Sequence, residues 1–287
     1  MNTLIKTMTR SVVCSAITIA ALLGALTTAA HAAGELQDIV KRGELRIGYM
    51  PAAPGVFKDP KTGTVTGYYV DGIASIAEEM GVKPVFVEST WSTYVAALQS
   101  GQIDMSIGGT FATVKRAMVL DFTRPFVYLG HSAIVRADET RFNELADMNN
   151  PDVRIAAMQG GVAESFVRQH MPKAKLIALN GSNLTASFVE VAAGRADVGI
   201  SDAHAVRQFA SKQPGVKDLF AGRPYNFLPI SWTVKKGNNE LLSVLNTGME
   251  ALLISGRWAE MARPYGDTGR YVDQPQFVDF PGEAKAK

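Results

Sequence analysis

Cysteine is almost absent from this sequence. Its 287 residues hold one, Cys14, inside an apolar stretch near the N-terminus. Past that point no disulfide, thiol nucleophile or thiolate metal site can be built. Histidine is scarce, with four residues scattered along the chain and no paired-His metal spacing. GxSxG, GxGxxG and P-loop patterns are missing, so the common catalytic and phosphate-binding motifs have no foothold. After residue 33 no run reaches about 18 consecutive apolar residues, the length of a membrane span. Excess charge is also lacking: 29 basic residues face 27 acidic ones. A surface that close to neutral argues against nucleic acid as a partner.

The N-terminus holds a secretion pattern. Lys6 and Arg10 precede a stretch from Ser11 to Ala25 that is almost wholly apolar or small, and Ala30-His31-Ala32 supplies small-x-small spacing. Residues 1–32 are therefore expected to be a cleaved signal, with Ala33 as the new N-terminus. A membrane anchor would need a longer run. Lipidation at Cys14 would need a small residue before it, where Val13 stands. Removing this segment removes two cations and no acid, and the formal charge falls from +2 to zero. About 255 residues remain, enough for two modest lobes or one large domain.

What is present is alternation. "ELRIGY", "KPVFVE", "IDMSIGG" and "HSAIVRA" read as strands. Between them "VDGIASIAEEMG" and "STYVAALQSG" carry helical periodicity, the first with Val70, Ile73, Ala74, Ala77 and Met80 on one stripe. Tyr68 and Tyr69, after Gly67, are expected in a turn. The alternation resumes through "VRIAAM", "AESFVRQHM", "AKLIAL", "LTASFVEVAAG", "ADVGIS" and "AHAVRQFA". It closes with the strand "PISWTVKKG" and the helix "ELLSVLNTGMEALLISG". This order implies parallel βαβ units. The last helices follow the second set of strands yet have none of its strands left to cover. The economical topology is two α/β lobes joined by two strands, with a cleft at the carboxyl ends of both sets. Residues 1–32 are assigned to the signal, 33–132 and 235–270 to lobe one, 133–234 to lobe two with a hinge strand at each end, and 271–287 to a loose tail.

Three loops at those strand ends carry chemistry. After Gly108-Gly109, Thr113 can cap a short helix with Arg116 in its first turn. A cation there is mildly opposed by the helix dipole. A surface Arg in an exposed first turn would read the same way, but the mismatch leans towards a function, since an Arg held there can clamp a carboxylate through two parallel hydrogen bonds. Phe111, beside it, is expected to turn its ring to the same space. In lobe two, Gly160-Gly161 precedes a helix starting near Val162, whose unpaired amides suit an anion. An ordinary βα turn would look the same. Asp202 ends a strand and opens a helix, either as a plain N-cap or as a partner for an ammonium. Trp91 lies between a strand and a helix, where a cleft wall would be. His131, His170 and His204 are expected to be structural or solvated.

Together the stretches "LRIGY", "TGYYVDGIASIAEEMG", "TWSTYVAALQSGQIDMSIGG", "TVKRAMVLDFTRPF", "GRADVGISD" and "WTVKKGNNELLSVLNTGMEAL" resemble the family 3 extracellular solute-binding proteins, periplasmic receptors of polar amino acid ABC importers. The resemblance covers about Leu36 to Gly266. It implies a two-lobed periplasmic-binding-protein fold of type II that closes over its ligand like a clam shell. It implies that Arg116 holds an α-carboxylate and Asp202 an α-ammonium, and that Trp91 lies against the ligand side chain. Gly109, Phe111, Gly160, Gly161 and Val162 complete the expected site. Neither a catalytic residue, a metal nor a cofactor is implied. The expected partners are an amino-acid-like ligand and an ABC permease in the inner membrane, met by a monomer in the periplasm.

Several positions depart from the family pattern. Phe111 replaces the first hydroxyl of Thr-x-Thr-x-x-Arg. Val162 stands where a hydroxyl is usual, Gly55 where an aromatic follows Pro, and Tyr68-Tyr69 where Phe-Asp is usual. An ordinary small amino acid fits these changes poorly, and a larger or partly aromatic zwitterion, or a plain carboxylate, fits better. Two other roles compete with import. One is a dehydratase resembling the periplasmic cyclohexadienyl dehydratases, against which Ala205 stands where that branch carries Glu. The other is a ligand sensor for a membrane receptor. The expected processing is checked by intact mass: the exported chain should begin at Ala33, and a mass retaining residues 1–32 or carrying acyl chains would refute it.

Overall fold

The computed structural model describes residues 35–265, so the expected signal segment and the C-terminal tail lie outside the described residues. Residues up to Gly43 form a unit of their own. Its described helix, α1 (Glu35–Arg42), places Glu35 and Asp38 in the first turn and Lys41 and Arg42 in the last. That order complements the helix dipole.

From Glu44 onwards the chain builds one mixed α/β body. Its elements run β1 (Glu44–Tyr49), a small ribbon of β2 (Phe57–Lys58) and β3 (Val65–Thr66), α2 (Tyr68–Glu79), β4 (Lys83–Glu88), α3 (Tyr94–Gln99), β5 (Met105–Phe111), α4 (Val114–Ala117) and β6 (Leu120–Phe122). Strand β7 (Val127–Arg136) then leads into β8 (Arg154–Met158), α5 (Val162–His170), β9 (Lys175–Leu179), α6 (Ala186–Ala192), β10 (Val198–Asp202), α7 (Ala203–Lys212) and β11 (Val216–Asp218). Strand β12 (Tyr225–Lys235) returns, and α8 (Asn239–Ile254) and α9 (Arg257–Ala262) follow. The strand order is β4-β1-β5-β12-β7-β10-β8-β9, with β6 on β12 and β11 on β7. Two parallel sets, β4-β1-β5 and β10-β8-β9, are thus bridged by β12 and β7. This is the two-lobed arrangement that the chain order implied.

The register defines where the lobes meet. Strand β5 pairs antiparallel with β12, ending with Phe111 opposite Ile230. Strand β12 pairs antiparallel with β7, with Ile230 opposite Val127 and Tyr225 opposite His131. Strand β10 pairs antiparallel with β7, ending with Asp202 opposite His131. The carboxyl ends of β5 and β10 therefore face each other along β7, one at Val127 and the other at His131. Four residues of strand, about 13 Å at 3.3 Å each, separate the two levels.

Packing explains the differences from the sequence pattern. Tyr68 and Tyr69 do not form a turn; they open α2. Both rings are buried against Trp258 of α9, at centroid distances of 5.4 and 6.0 Å. Gly72 lies beneath the same indole, where a Cβ would come within 2.5 Å of its ring. Burial of three large rings outweighs the weak local preference of a Gly-Tyr-Tyr sequence. The two-residue ribbon was below the length at which alternation can be read.

The second lobe holds an ion cluster built on two buried carboxylates, Glu139 and Asp197. Asp197 accepts from the Arg154 amide and from its guanidinium at 3.0 and 3.2 Å, and from Arg141 at 3.1 Å. Arg141 also pairs with Glu139, at 2.6 Å. Burial alone would raise the Asp197 pKa, but the bonds to Arg154 and Arg141 hold it down at about 2. A carboxylate whose folded pKa is depressed stabilises the fold above its unfolded value and loses that contribution as pH falls through the folded one. Asp197→Asn is expected to remove about 2 kcal/mol at pH 7 and to lower Tm by about 4–8 °C. Calorimetric scans should show the deficit constant above about pH 4 and shrinking towards pH 2. A deficit that does not shrink would assign the loss to something other than the charge.

Candidate functional site

The facing ends of β5 and β10 open onto a cleft of about 600 Å³. Val127, Leu129 and His131, alternate residues of β7, form part of its lining with Ile230 of β12. The period of two is the ordinary consequence of a strand presenting one face.

Arg116 lines this cleft from α4. Thr113 caps the helix by accepting from the Arg116 amide at 3.3 Å. The guanidinium turns back and out: Nη1 donates to the Phe111 carbonyl at 3.0 Å and Nη2 to the Gly160 carbonyl, in the opposite lobe, at 2.8 Å. Arg116 is thus a cross-cleft link, anchored by two carbonyls with further N–H groups left over. Phe111 also lines the cleft, and its ring stacks on His131 at 4.8 Å and 23°.

Asp202 lines the other lobe's side. Its Oδ1 accepts from Ala205 N–H at 2.8 Å, so it is an N-cap as well as a cleft residue. Beside it lies a residue that sequence reasoning treated as structural. His131 is buried, lies opposite Asp202 in the strand register, and is sandwiched by Phe111 and, at 6.4 Å and 7°, by Phe166 of α5. Its Nδ1 is 3.3 Å from the Asn226 carbonyl. Burial lowers its pKa, opposed by the Asn226 bond and the Asp202 charge and reinforced by Arg116. The only signal that could have found His131 is its pairing with Asp202, which no local pattern reveals. His204, expected to be structural or solvated, also lines the cleft.

Trp91, Gly109 and Val162 line the cleft too. Trp91 is buried and packs edge-on against Tyr94. Val162 begins α5, whose N-cap Gly161 brings no side-chain acceptor. Gly160 and Gly161 differ from expectation in that neither is among the lining residues. Gly160, at φ 77°, approaches lobe one instead, and a Cβ there would come within 2.5 Å of the Trp91 carbonyl. The Gly161 amide is bonded to the Met158 carbonyl. Two further contacts cross between the lobes, Ser92 to Asn180 at 3.3 Å and Ser182 to Glu88 at 3.0 Å. Among the described residues no cluster of three or more His, Cys, Asp or Glu is placed to hold a metal, and no helix is long and apolar enough to cross a membrane.

Three relatives place this geometry among known proteins. The cyclohexadienyl dehydratase of Pseudomonas aeruginosa is 27% identical over 214 residues, 72% of this chain and 78% of that one. A probable amino-acid ABC transporter-binding protein of Haemophilus influenzae is 26% identical over 243 residues, 83% of this chain and 91% of that one. The crystal structure of an ancestral amino acid-binding protein, AncCDT-1, a precursor of cyclohexadienyl dehydratase, aligns with a TM-score of 0.73 at 30% identity, over 81% of this chain and 99% of that one. Residues 45–268 match one family throughout, across both lobes and both connecting strands, and the chain belongs to the bacterial extracellular solute-binding proteins, family 3.

Proposed function

We propose that this chain is the periplasmic substrate-binding component of an ABC importer and binds an amino acid or a close zwitterionic relative by closure of its lobes. The observation that carries this reading is the convergence on one cleft of Arg116, Asp202 and the start of α5 at Val162. Arg116 clamps the α-carboxylate with the N–H groups that its two carbonyl anchors leave over. Asp202 takes the α-ammonium on the oxygen not used for capping. Trp91 and Phe111 wall the side chain, and Gly109 lets the ligand approach the β5 backbone. Gly160 and Gly161 act from behind, as the point where the lobes touch. A ligand touching both lobes favours the closed form by its differential affinity for it.

The lobes are proposed to comprise residues 33–132 with 235–270, and residues 133–234, following a signal over 1–32. The protein is proposed to act as a monomer that docks on a permease in the inner membrane, with no cofactor.

The dehydratase relative gives the enzymatic reading a specific basis, and the cleft chemistry opposes it. Elimination needs a general acid with a pKa near the working pH. Ala205 lines the cleft where that branch carries Glu, and Glu88 is held below the usual carboxylate range by its bond to Lys58. Incubation with prephenate or arogenate is expected to give no product absorbance. Sustained multiple turnover that disappears in Arg116→Ala would replace the binding reading.

A thermal-shift screen of amino acids, opines and aromatic carboxylates tests the binding reading directly. At 100 times Kd a true ligand adds about 2.7 kcal/mol, a shift of several degrees in Tm. With the strongest ligand of that screen, Arg116→Ala should weaken binding by about 1.5–3 kcal/mol, at least tenfold by calorimetric titration. A screen that shifts nothing, or an unchanged affinity in Arg116→Ala, would move the site elsewhere.

A further inference from the structure

Carboxylates are few in the cleft. Among the described residues that line it, only Asp202 and Glu88 carry one. Asp202 is the group proposed above for the α-ammonium. Glu88, the last residue of β4, is then the one acid left to meet a cationic side chain. Both of its oxygens already accept from neighbours. Lys58 Nζ lies 2.6 Å from Oε2, the Tyr49 hydroxyl donates to the same oxygen at 3.3 Å, and the Ser182 hydroxyl donates to Oε1 at 3.0 Å. These donors come from the β2 ribbon, from β1 and from the opposite lobe, so three separate segments aim at one carboxylate. An entering guanidinium or ammonium would have to displace Lys58, exchanging one ion pair for another and leaving two cations side by side.

The rest of the wall carries no further acid and is part hydrocarbon, part neutral and polar, the latter from Asn183, Thr185, Ser201, Gln208 and Gln213. Pro51, Ala52, Ala53, Pro54 and Gly55 line the cleft in succession without one polar side-chain atom. Across from them Met158 adds a thioether that packs with Trp91. Lys212, the remaining cation besides Lys58 and Arg116, is an exposed residue at the far end of α7. An acidic side chain would therefore lose its hydration for little return.

We infer that the cleft takes an α-amino acid whose side chain is uncharged, and that Lys58 excludes basic side chains by holding Glu88. This rests on the amino-acid reading given above. The Lys58–Glu88 pair acts by negative selection: it contributes little to the binding of a neutral ligand and makes the wrong ligand costly.

The test is calorimetric titration of the exported chain, unfolded and refolded to strip any co-purified ligand. The probes are phenylalanine, leucine, methionine, glutamine, arginine, lysine and glutamate. The tightest neutral ligand is expected to bind at least tenfold more tightly than arginine, lysine or glutamate. In Lys58→Met the affinity for arginine relative to that neutral ligand should rise at least tenfold, and adding Glu88→Gln to the same chain should abolish that gain. A charged amino acid as the tightest ligand overturns the inference while the amino-acid reading stands. An unchanged ratio in folded Lys58→Met, or a gain that survives loss of the Glu88 carboxylate, overturns it as well. If none of the seven binds, the amino-acid reading fails and takes this inference with it.

Discussion

Strands β7 and β12 lie antiparallel in the middle of the sheet, and the position of every cleft residue follows from that pairing. Because β5 hangs on β12 and β10 on β7, the two parallel sets run towards each other. Each set alone would offer a single row of strand ends, as any open parallel sheet does. Set head to head, they enclose a volume with backbone ends on both sides and the face of β7 beneath. Cations, anions and amides from distant parts of the chain then meet without any loop having to be long.

The closeness of the lobes depends on small groups as much as on charged ones. Gly160 has no Cβ, and the Trp91 carbonyl occupies the space that one would need. The Arg116 link to the Gly160 carbonyl is possible only at that spacing. The ring sandwich of Phe111, His131 and Phe166 belongs to the same seam, since its outer members sit on β5 and α5 and its middle member on the connecting strand. Lobe movement therefore changes aromatic stacking, a hydrogen bond and a steric contact together.

Much of this was legible before any coordinates. The element order, the two-strand connection, the Thr113 cap before Arg116 and the capping position of Asp202 all rest on local signals: periodicity, glycine stops and N-cap chemistry. Illegible features were set by partners far away in the chain. Tyr68 and Tyr69 are helical because Trp258 covers them. His131 faces the cleft because of which strand lies opposite it. Lys58 meets Glu88 through a ribbon only two residues wide on each side, and Gly160 turned out to serve the contact between lobes rather than the lining. Each of these depends on register or tertiary contact, which a window of sequence does not contain.

The seat of Trp258 has a consequence for the timing of folding. Its indole rests on Gly72, Tyr68 and Tyr69, residues made nearly two hundred positions earlier. A ribosome delivers the two partners at very different moments, whereas the ion cluster of Glu139, Arg141, Arg154 and Asp197 lies in one continuous stretch between β7 and β12. The central segment can thus consolidate early, while the aromatic cluster around Trp258 must wait for the end of the chain. Until then the first lobe has an uncovered apolar face on α2. A nascent chain in this state stays pliable until its last helices arrive.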